Sequence, residues 1–352
     1  MKQPCSKRLW QCVDWKKVEH SKGKIKVAGS AISKKDYSKI SEEEALSVVN
    51  NWRAAHAFPL QIFYMNCKQK SARYKNSIAV QRLKRLDSII GKLTRQPDMS
   101  LIRMQDLGGC RMIMDSITDV YKVVDEFKKS RIRHELLREN DYISNPKKSG
   151  YRCVHLVYRY NSDKKDDYNG MFVEVQIRTN LQHLWATAIE VLGLYTKHNM
   201  KASQGDTGML RYMELVSALF AIEEGTALSE NVPQSKADIL VELHSLDYLN
   251  VLGILTAMKK ALIKKDDIPR SYRDGYYILS MNHDLQTLQL LLFKKSEISF
   301  ATEIYEETEI IDHSENVTSV LVSASNMDAL KKAYPNYFVD VDAFVDMVKS
   351  LI

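Results

Sequence analysis

The spacing of apolar residues changes character along this chain. Through the first ninety residues it has the period of helices. Ser41 followed by Glu44 has the form of a capping box and predicts a helix running through Ala54. Pro59 suits the opening turn of the next helix, to about Tyr74, because its nitrogen carries no hydrogen to leave unpaired. A third helical pattern spans Ile78 to Leu93. Leu83, Leu86, Ile89 and Ile90 lie on one face, with Arg82, Lys84, Arg85 and Lys92 opposite.

The period then becomes mixed. Arg111 to Met114 reads as a short strand, followed by an amphipathic helix from Ile117 to Phe127. Strands are predicted at His134 to Arg138, Cys153 to Tyr160 and Met171 to Arg178. The last alternates cleanly, with Phe172, Glu174, Gln176 and Arg178 on one side and Val173, Val175 and Ile177 on the other. Helices follow at Asn180 to Tyr195, Gly208 to Glu224 and Lys236 to Lys264. After a linker at Lys264 to Arg273 the pattern predicts a hairpin, Tyr276 to Met281 with Thr287 to Phe293. A helix from Phe300 to Glu309, a strand from Thr318 to Ser323 and two short helices complete it. The expected class is α+β: a mixed sheet flanked by helices, with a small separate α+β unit at the C-terminus.

Composition narrows the class. A length of 352 residues suits about two domains. The greasiest stretch, Leu246 to Ile263, is interrupted by Asp247, Lys259 and Lys260 and reads as a buried helix, not a membrane span. The charged start without an apolar core predicts no secretory signal, and a cytoplasmic location with no membrane partner. Cys5, Cys12, Cys67, Cys110 and Cys153 show no metal-binding spacing, and all lie in the first half. Net charge is +7, unevenly spread. Residues 1–35 hold 10 Lys/Arg against 2 Asp/Glu, which predicts a basic arm, whereas residues 297–347 hold 11 acidic against 2 basic side chains. The basic half suits a phosphate-rich partner, or the acidic tail itself.

Four segments place polar residues where a plain core would not. They are Arg82-Leu-Lys84 with Ser88 and Lys92; Asp106 to Arg111; Asp141 to Tyr151 with His155; and Val173 to Thr179 with His183. Moving a phosphoryl or pyrophosphoryl group takes a metal to neutralise oxygens, cations to hold the phosphate chain, and an aligned hydroxyl. Asp106 and Glu174 are hard oxygen ligands of the kind Mg²⁺ prefers. Arg82, Lys84 and Lys92, placed on one helix, would follow a triphosphate. Lys147 and Tyr151 flank a turn at Gly150, offering a cation and an aromatic plate to a base.

In this order the motifs Arg-x-Lys-x3-Ser-x3-Lys, Asp-Leu-x-Gly-x-Arg, Asp-Tyr-Ile-x2-Pro-Lys-x2-Gly-Tyr-x3-His and Glu-Val-Gln-Ile-Arg-Thr-x3-His resemble the synthetase domain of the RelA/SpoT alarmone synthetases. The resemblance covers Pro59 to Lys197. It implies a nucleotidyltransferase-like sheet and transfer of pyrophosphate from ATP to a ribose 3′-hydroxyl, with AMP leaving. It also implies that Arg82 stacks on adenine while Lys84, Ser88, Lys92 and Arg111 support the ATP side. Asp106 and Glu174 would be catalytic and would hold Mg²⁺, and Lys147, Tyr151, His155 and Gln176 would face the acceptor. Asn140, Ser149, Cys153 and Leu156-Val157 depart from the usual residues, all on the acceptor side.

The segment Asn51-Trp52-Arg53-x2-His56-x2-Pro59-Leu60 and the acidic, cysteine-free C-terminal unit with Tyr334-Pro-Asn-Tyr337 make the flanks similar to the toxic small alarmone synthetases, in particular to the fused toxin–antitoxin form called CapRel. That resemblance implies a basic arm (1–35), a pyrophosphotransferase toxin domain (36–265) and a pseudo-zinc-finger-like antitoxin domain (266–352). It further implies a tRNA 3′-CCA acceptor, a phage protein as trigger, and Tyr334 and Tyr337 as an autoinhibitory plug in the ATP site. The alternatives are a synthetase using GDP or GTP as acceptor, and an inactive RNA-binding or phage-sensing module.

Overall fold

One sheet with a helical layer on each face accounts for most of these patterns. The computed structural model describes residues 15–196, 200, 205–259, 272, 274–282, 287–312, 317–324, 327–334 and 341–352. Tyr337, most of the expected linker, and the arm's Lys7 and Arg8 lie outside the described residues.

Three helices open the described chain, α1 (Lys22–Lys34), α2 (Glu42–Ala55) and α3 (Ala57–Ser71). Ser41 caps α2 as its sequence predicts, its hydroxyl accepting from the Glu44 amide at 3.2 Å, a contact worth about 1 kcal/mol. Pro59 sits in the first turn of α3. Residues 15–34, expected as part of a loose basic arm, are instead packed. Trp15, Ile25, Ala28 and Ile32 are core residues, because every third or fourth position of α1 is apolar while its lysines face away.

The third predicted helix is corrected. Ile78–Leu83 is a strand, β1, and only Leu86–Arg95 is a helix, α4. Arg82, Lys84 and Lys92 therefore do not share a helix; they occupy a strand, the turn after it and the helix beyond. Then come β2 (Gly108–Met114), α5 (Ile117–Lys128), β3 (Glu135–Asp141), β4 (Val154–Arg159), β5 (Phe172–Thr179), α6 (Asn180–Thr196) and α7 (Thr207–Glu223). The long helix expected from Lys236 is broken into α8 (Lys236–Ser245) and α9 (Val251–Lys259). Between them Asn250 adopts a left-handed conformation, φ 47°, which ends a right-handed helix. The C-terminal elements are β6 (Tyr276–Asn282), β7 (Thr287–Phe293), α10 (Ile298–Asp312), β8 (Val317–Ser323), α11 (Met327–Ala333) and α12 (Asp342–Leu351).

The strands form an eight-stranded sheet in the order β3-β4-β5-β2-β1-β8-β6-β7. The β2–β5 pair is parallel and the rest antiparallel. The C-terminal strands thus continue the same sheet, although among the described residues only two pairs, Gln81↔Ser323 and Arg82↔Val322, join β1 to β8. On one face α1–α5 and α10 cover a core that includes Val154, Val173, Val175 and Ile177. On the other, α6–α9, α11 and α12 cover a second core that includes Val80, Ile113 and Val322. Period-two alternation puts Arg82, Arg111, His155, Glu174 and Gln176 on this second face.

Candidate active site

Asp106 lies in the turn before β2, and the Lys84 amide donates to Leu107 O at 2.8 Å, which ties that turn to the end of β1. Lys84 Nζ meets Asp106 Oδ2 at 2.8 Å and Lys92 Nζ meets Oδ1 at 2.9 Å. Burial would raise the Asp106 carboxyl, but Lys84 and then Lys92 outweigh it and hold it down at about 2. Burial lowers Lys84 against the attraction of the same carboxylate. Two of the three cations expected along a phosphate chain thus converge on the carboxylate.

Glu174 projects from β5 opposite Gly109, three residues beyond Asp106. His155 Nδ1 is 2.8 Å from its Oε1, and Gln176 Nε2 donates to its Oε2 at 2.7 Å. Burial pushes this carboxyl up, but the contact with His155 brings it below its usual value, with Asp106 opposing. The other ring nitrogen of His155, Nε2, lies 2.9 Å from the Tyr151 hydroxyl. Gln176, expected at the acceptor, is engaged with Glu174 in this structure.

The segment between β3 and β4 supplies the rest. Lys147 Nζ stands 4.3 Å from the ring centroid of Tyr142 and 5.3 Å from that of Tyr151. Tyr142 packs edge-on to His155 at 5.2 Å. Sequence reasoning named the segment but passed over Tyr142, whose signal was an aromatic residue inside the Asp-Tyr-Ile motif. Gly150 has φ +83°, and a Cβ there would lie 2.9 Å from the Ser217 Cβ, so both backbone and space require glycine.

Of the residues expected on the ATP side, Ser88 is half-buried on α4 and Arg82 half-buried on β1. Arg111 donates through Nη1 to Ala333 O at 2.9 Å and lies 5.8 Å from the ring centroid of Tyr334. Burial, with Arg178 and Arg82 nearby, brings its guanidinium down to about 10. Tyr334, 2 % exposed, donates its hydroxyl hydrogen to Gln81 O at 3.0 Å. The end of α11 therefore sits over β1 and β2 beside Arg82 and Arg111. His183 is buried, with its Nδ1 2.6 Å from Arg178 Nη2.

The donor set fits magnesium in part. Among the described residues no three His, Cys, Asp or Glu side chains converge as a cage. Two carboxylates completed by substrate phosphates and water is nevertheless the usual form of a Mg²⁺ site. Among the described residues, no helix is long and apolar enough to cross a membrane.

Residues 81–200 match the family described as the region found in RelA / SpoT proteins. Two Bacillus subtilis proteins are similar. GTP pyrophosphokinase YjbM is 34% identical over 108 residues, 30% of this chain and 51% of that protein. GTP pyrophosphokinase YwaC is 34% identical over 114 residues, 30% of this chain and 52% of that protein. The chain spans about half the length of these curated relatives. Among solved structures, small alarmone synthetase 2 of Bacillus subtilis aligns over 50% of this chain and 93% of its own, with 23% identity and a TM-score of 0.43. Small alarmone synthetase 1 of the same organism, bound to its product pppGpp, aligns over 48% and 89%, with 23% identity and a TM-score of 0.42. From within β1 to just beyond α6, the chain carries a region of the kind found in RelA / SpoT proteins.

Proposed function

We propose that this protein is an ATP-dependent pyrophosphotransferase whose ATP site is closed by its own C-terminal unit. One observation supports the chemistry above others: Asp106, paired with Lys84 and Lys92, lies in the turn that leads into β2, and Glu174, paired with His155, lies on the parallel neighbour β5. Lys84, Lys92 and Arg111 hold the phosphates of ATP, and Arg82 stacks against adenine. Asp106 and Glu174 would hold Mg²⁺, which would supply charge neutralisation at the phosphate oxygens. The acceptor's ribose 3′-oxygen forms a bond to the β-phosphorus while the bond from that phosphorus to the α–β bridging oxygen breaks, releasing AMP. Glu174 takes the hydroxyl proton. Lys147, Tyr151 and His155 position the acceptor.

The acceptor in this reading is the tRNA 3′-CCA end, and transfer to it blocks translation. Lys16, Lys17, Lys22 and Lys26 are exposed, and a tRNA stem needs such a spread of cations more than a mononucleotide does. Tyr334 against Gln81 and Arg111 supports the closed state, with Tyr337 as second plug residue. A phage protein that binds the C-terminal unit releases it, serving antiviral defence in the cytoplasm. GDP or GTP is the competing acceptor, favoured by the names of the similar GTP pyrophosphokinases. Labelled ATP incubated with tRNA or with GDP and GTP decides between them: label on tRNA is expected, and label on GDP alone overturns the tRNA reading. No transfer to either, from the Tyr334→Ala protein, leaves the inactive binding module.

A further inference from the structure

The segment that carries Lys147, Gly150 and Tyr151 is held from outside itself. Arg152, 3 % exposed, donates through Nε to Ser217 Oγ at 3.2 Å. Its Nη1 donates to Ala227 O at 2.6 Å and, at 3.4 Å, to Ile143 O, where the segment begins. Ser217, on α7 and also buried, sends its own hydrogen to Gly150 O at 2.5 Å. Its hydroxyl is thus used in both directions, between a guanidinium and a carbonyl. Further along, Asn231 Nδ2 donates to Lys148 O at 3.2 Å, and Arg211 Nη1 holds Asn231 O at 2.8 Å. Ser217, Ala227 and Asn231 all lie beyond the RelA/SpoT region of 81–200.

A turn that only joins two strands does not need a buried guanidinium, since desolvating that charge is costly. The cost is reasonable where two side chains must be presented at fixed positions. We infer that Ser217 and Arg152 are positioning residues for the acceptor. They fix Gly150, and through it set Tyr151 against His155 and Lys147 against Tyr142. The inference rests on the reading of Lys147, Tyr151 and His155 as the acceptor side. The wall built by α7 and the residues after it then decides how tightly the acceptor is held, while the ATP side stands on β1, α4 and β2.

The test uses the full chain carrying Ser217→Ala, which removes one hydroxyl at little change in volume, and Arg152→Lys, which keeps the charge and loses the fork. The acceptor KM is expected to rise about tenfold in Ser217→Ala, with the ATP KM within about twofold, since one buried hydrogen bond is lost on one side only. Hydrogen exchange supplies a readout independent of turnover. The Gly150 amide, which donates to Lys147 O at 2.8 Å, should exchange about tenfold faster in Ser217→Ala. If Arg152→Lys does not fold, Ser217→Ala decides alone. Unchanged exchange across residues 147–151 overturns the inference, as does an ATP KM that rises with the acceptor's. A Tyr334→Ala protein that transfers to no acceptor would sink the proposed function, and exchange would still judge this inference.

Discussion

The proposed closure of the ATP site can be measured at Tyr334. Tyr334→Phe deletes only the phenol hydroxyl, leaving Gln81 O without that donor; losing one such bond costs about 1 kcal/mol. Tyr334→Ala also removes a ring that is 2 % exposed, and emptying an aromatic site costs about 3–5 kcal/mol. If the closed form is the resting state and ATP binds only the open one, these losses appear as gains in ATP affinity, a decade for about 1.4 kcal/mol. Phenylalanine should then tighten ATP binding about fivefold. Alanine should tighten it by about a hundredfold or more, up to the point where the open form predominates. Equilibrium dialysis with a non-hydrolysable ATP analogue measures the affinity, and a thermal melt run beside it measures the destabilisation. In cells, Tyr334→Ala should be toxic where wild type is not. Variants that melt earlier yet bind the analogue like wild type would make Tyr334 an ordinary core residue and refute the closure; so would Tyr334→Ala cells that grow normally.

The other expectations are narrower. Asp106 is held at about 2 against its ordinary 3.8. Its contribution, about 2 kcal/mol, is therefore full above pH 3.8 and is lost as pH falls towards 2. Acid unfolding of chelator-treated protein should accordingly move to lower apparent stability less steeply in Asp106→Asn, and identical pH curves would contradict the Lys84–Asp106–Lys92 cluster. Gly150→Ala should cost about 2–4 kcal/mol from strain at positive φ together with the approach to Ser217, read as a lower melting temperature and a weaker acceptor KM; an unchanged melt would refute the crowding. Chelation of divalent metal should abolish transfer and added Mg²⁺ restore it, and transfer that persists in excess chelator would remove the metal role from Asp106 and Glu174.

How much of this was legible depended on where each residue sits in the sheet. β5 alternates because one of its faces is greasy and the other carries charge, so Glu174 and Gln176 could be placed on one side from the sequence. β1 offers no such contrast. It lies in the middle of the sheet, and Val80 and Gln81 are both buried, one on each face. Without alternation, the real helical period of Leu86, Ile89 and Leu93 was extended backwards over a strand. The motif names the same residues for the ATP side on either reading, and only the element carrying them differs. Ser217 could not be found in advance. It is one serine in an apolar helix, and its meaning comes from Gly150, 67 residues earlier in the chain and beside it in the fold. The α1 core residues were hidden by their setting, because four apolar positions among lysines read as a tail until something packs on them.

The two-pair join between β1 and β8 has a consequence for the order of synthesis. All the side chains assigned to catalysis precede Arg178, whereas β8 and Tyr334 emerge about 140 to 160 residues later. At about 5–20 residues per second, the catalytic strands precede their cover by roughly ten to thirty seconds. During that interval β1 is an open sheet edge and its neighbouring arginines are uncovered. If the C-terminal unit closes the ATP site as proposed, a nascent chain would stay uninhibited until β8 and Tyr334 emerge, well after α6 and α7.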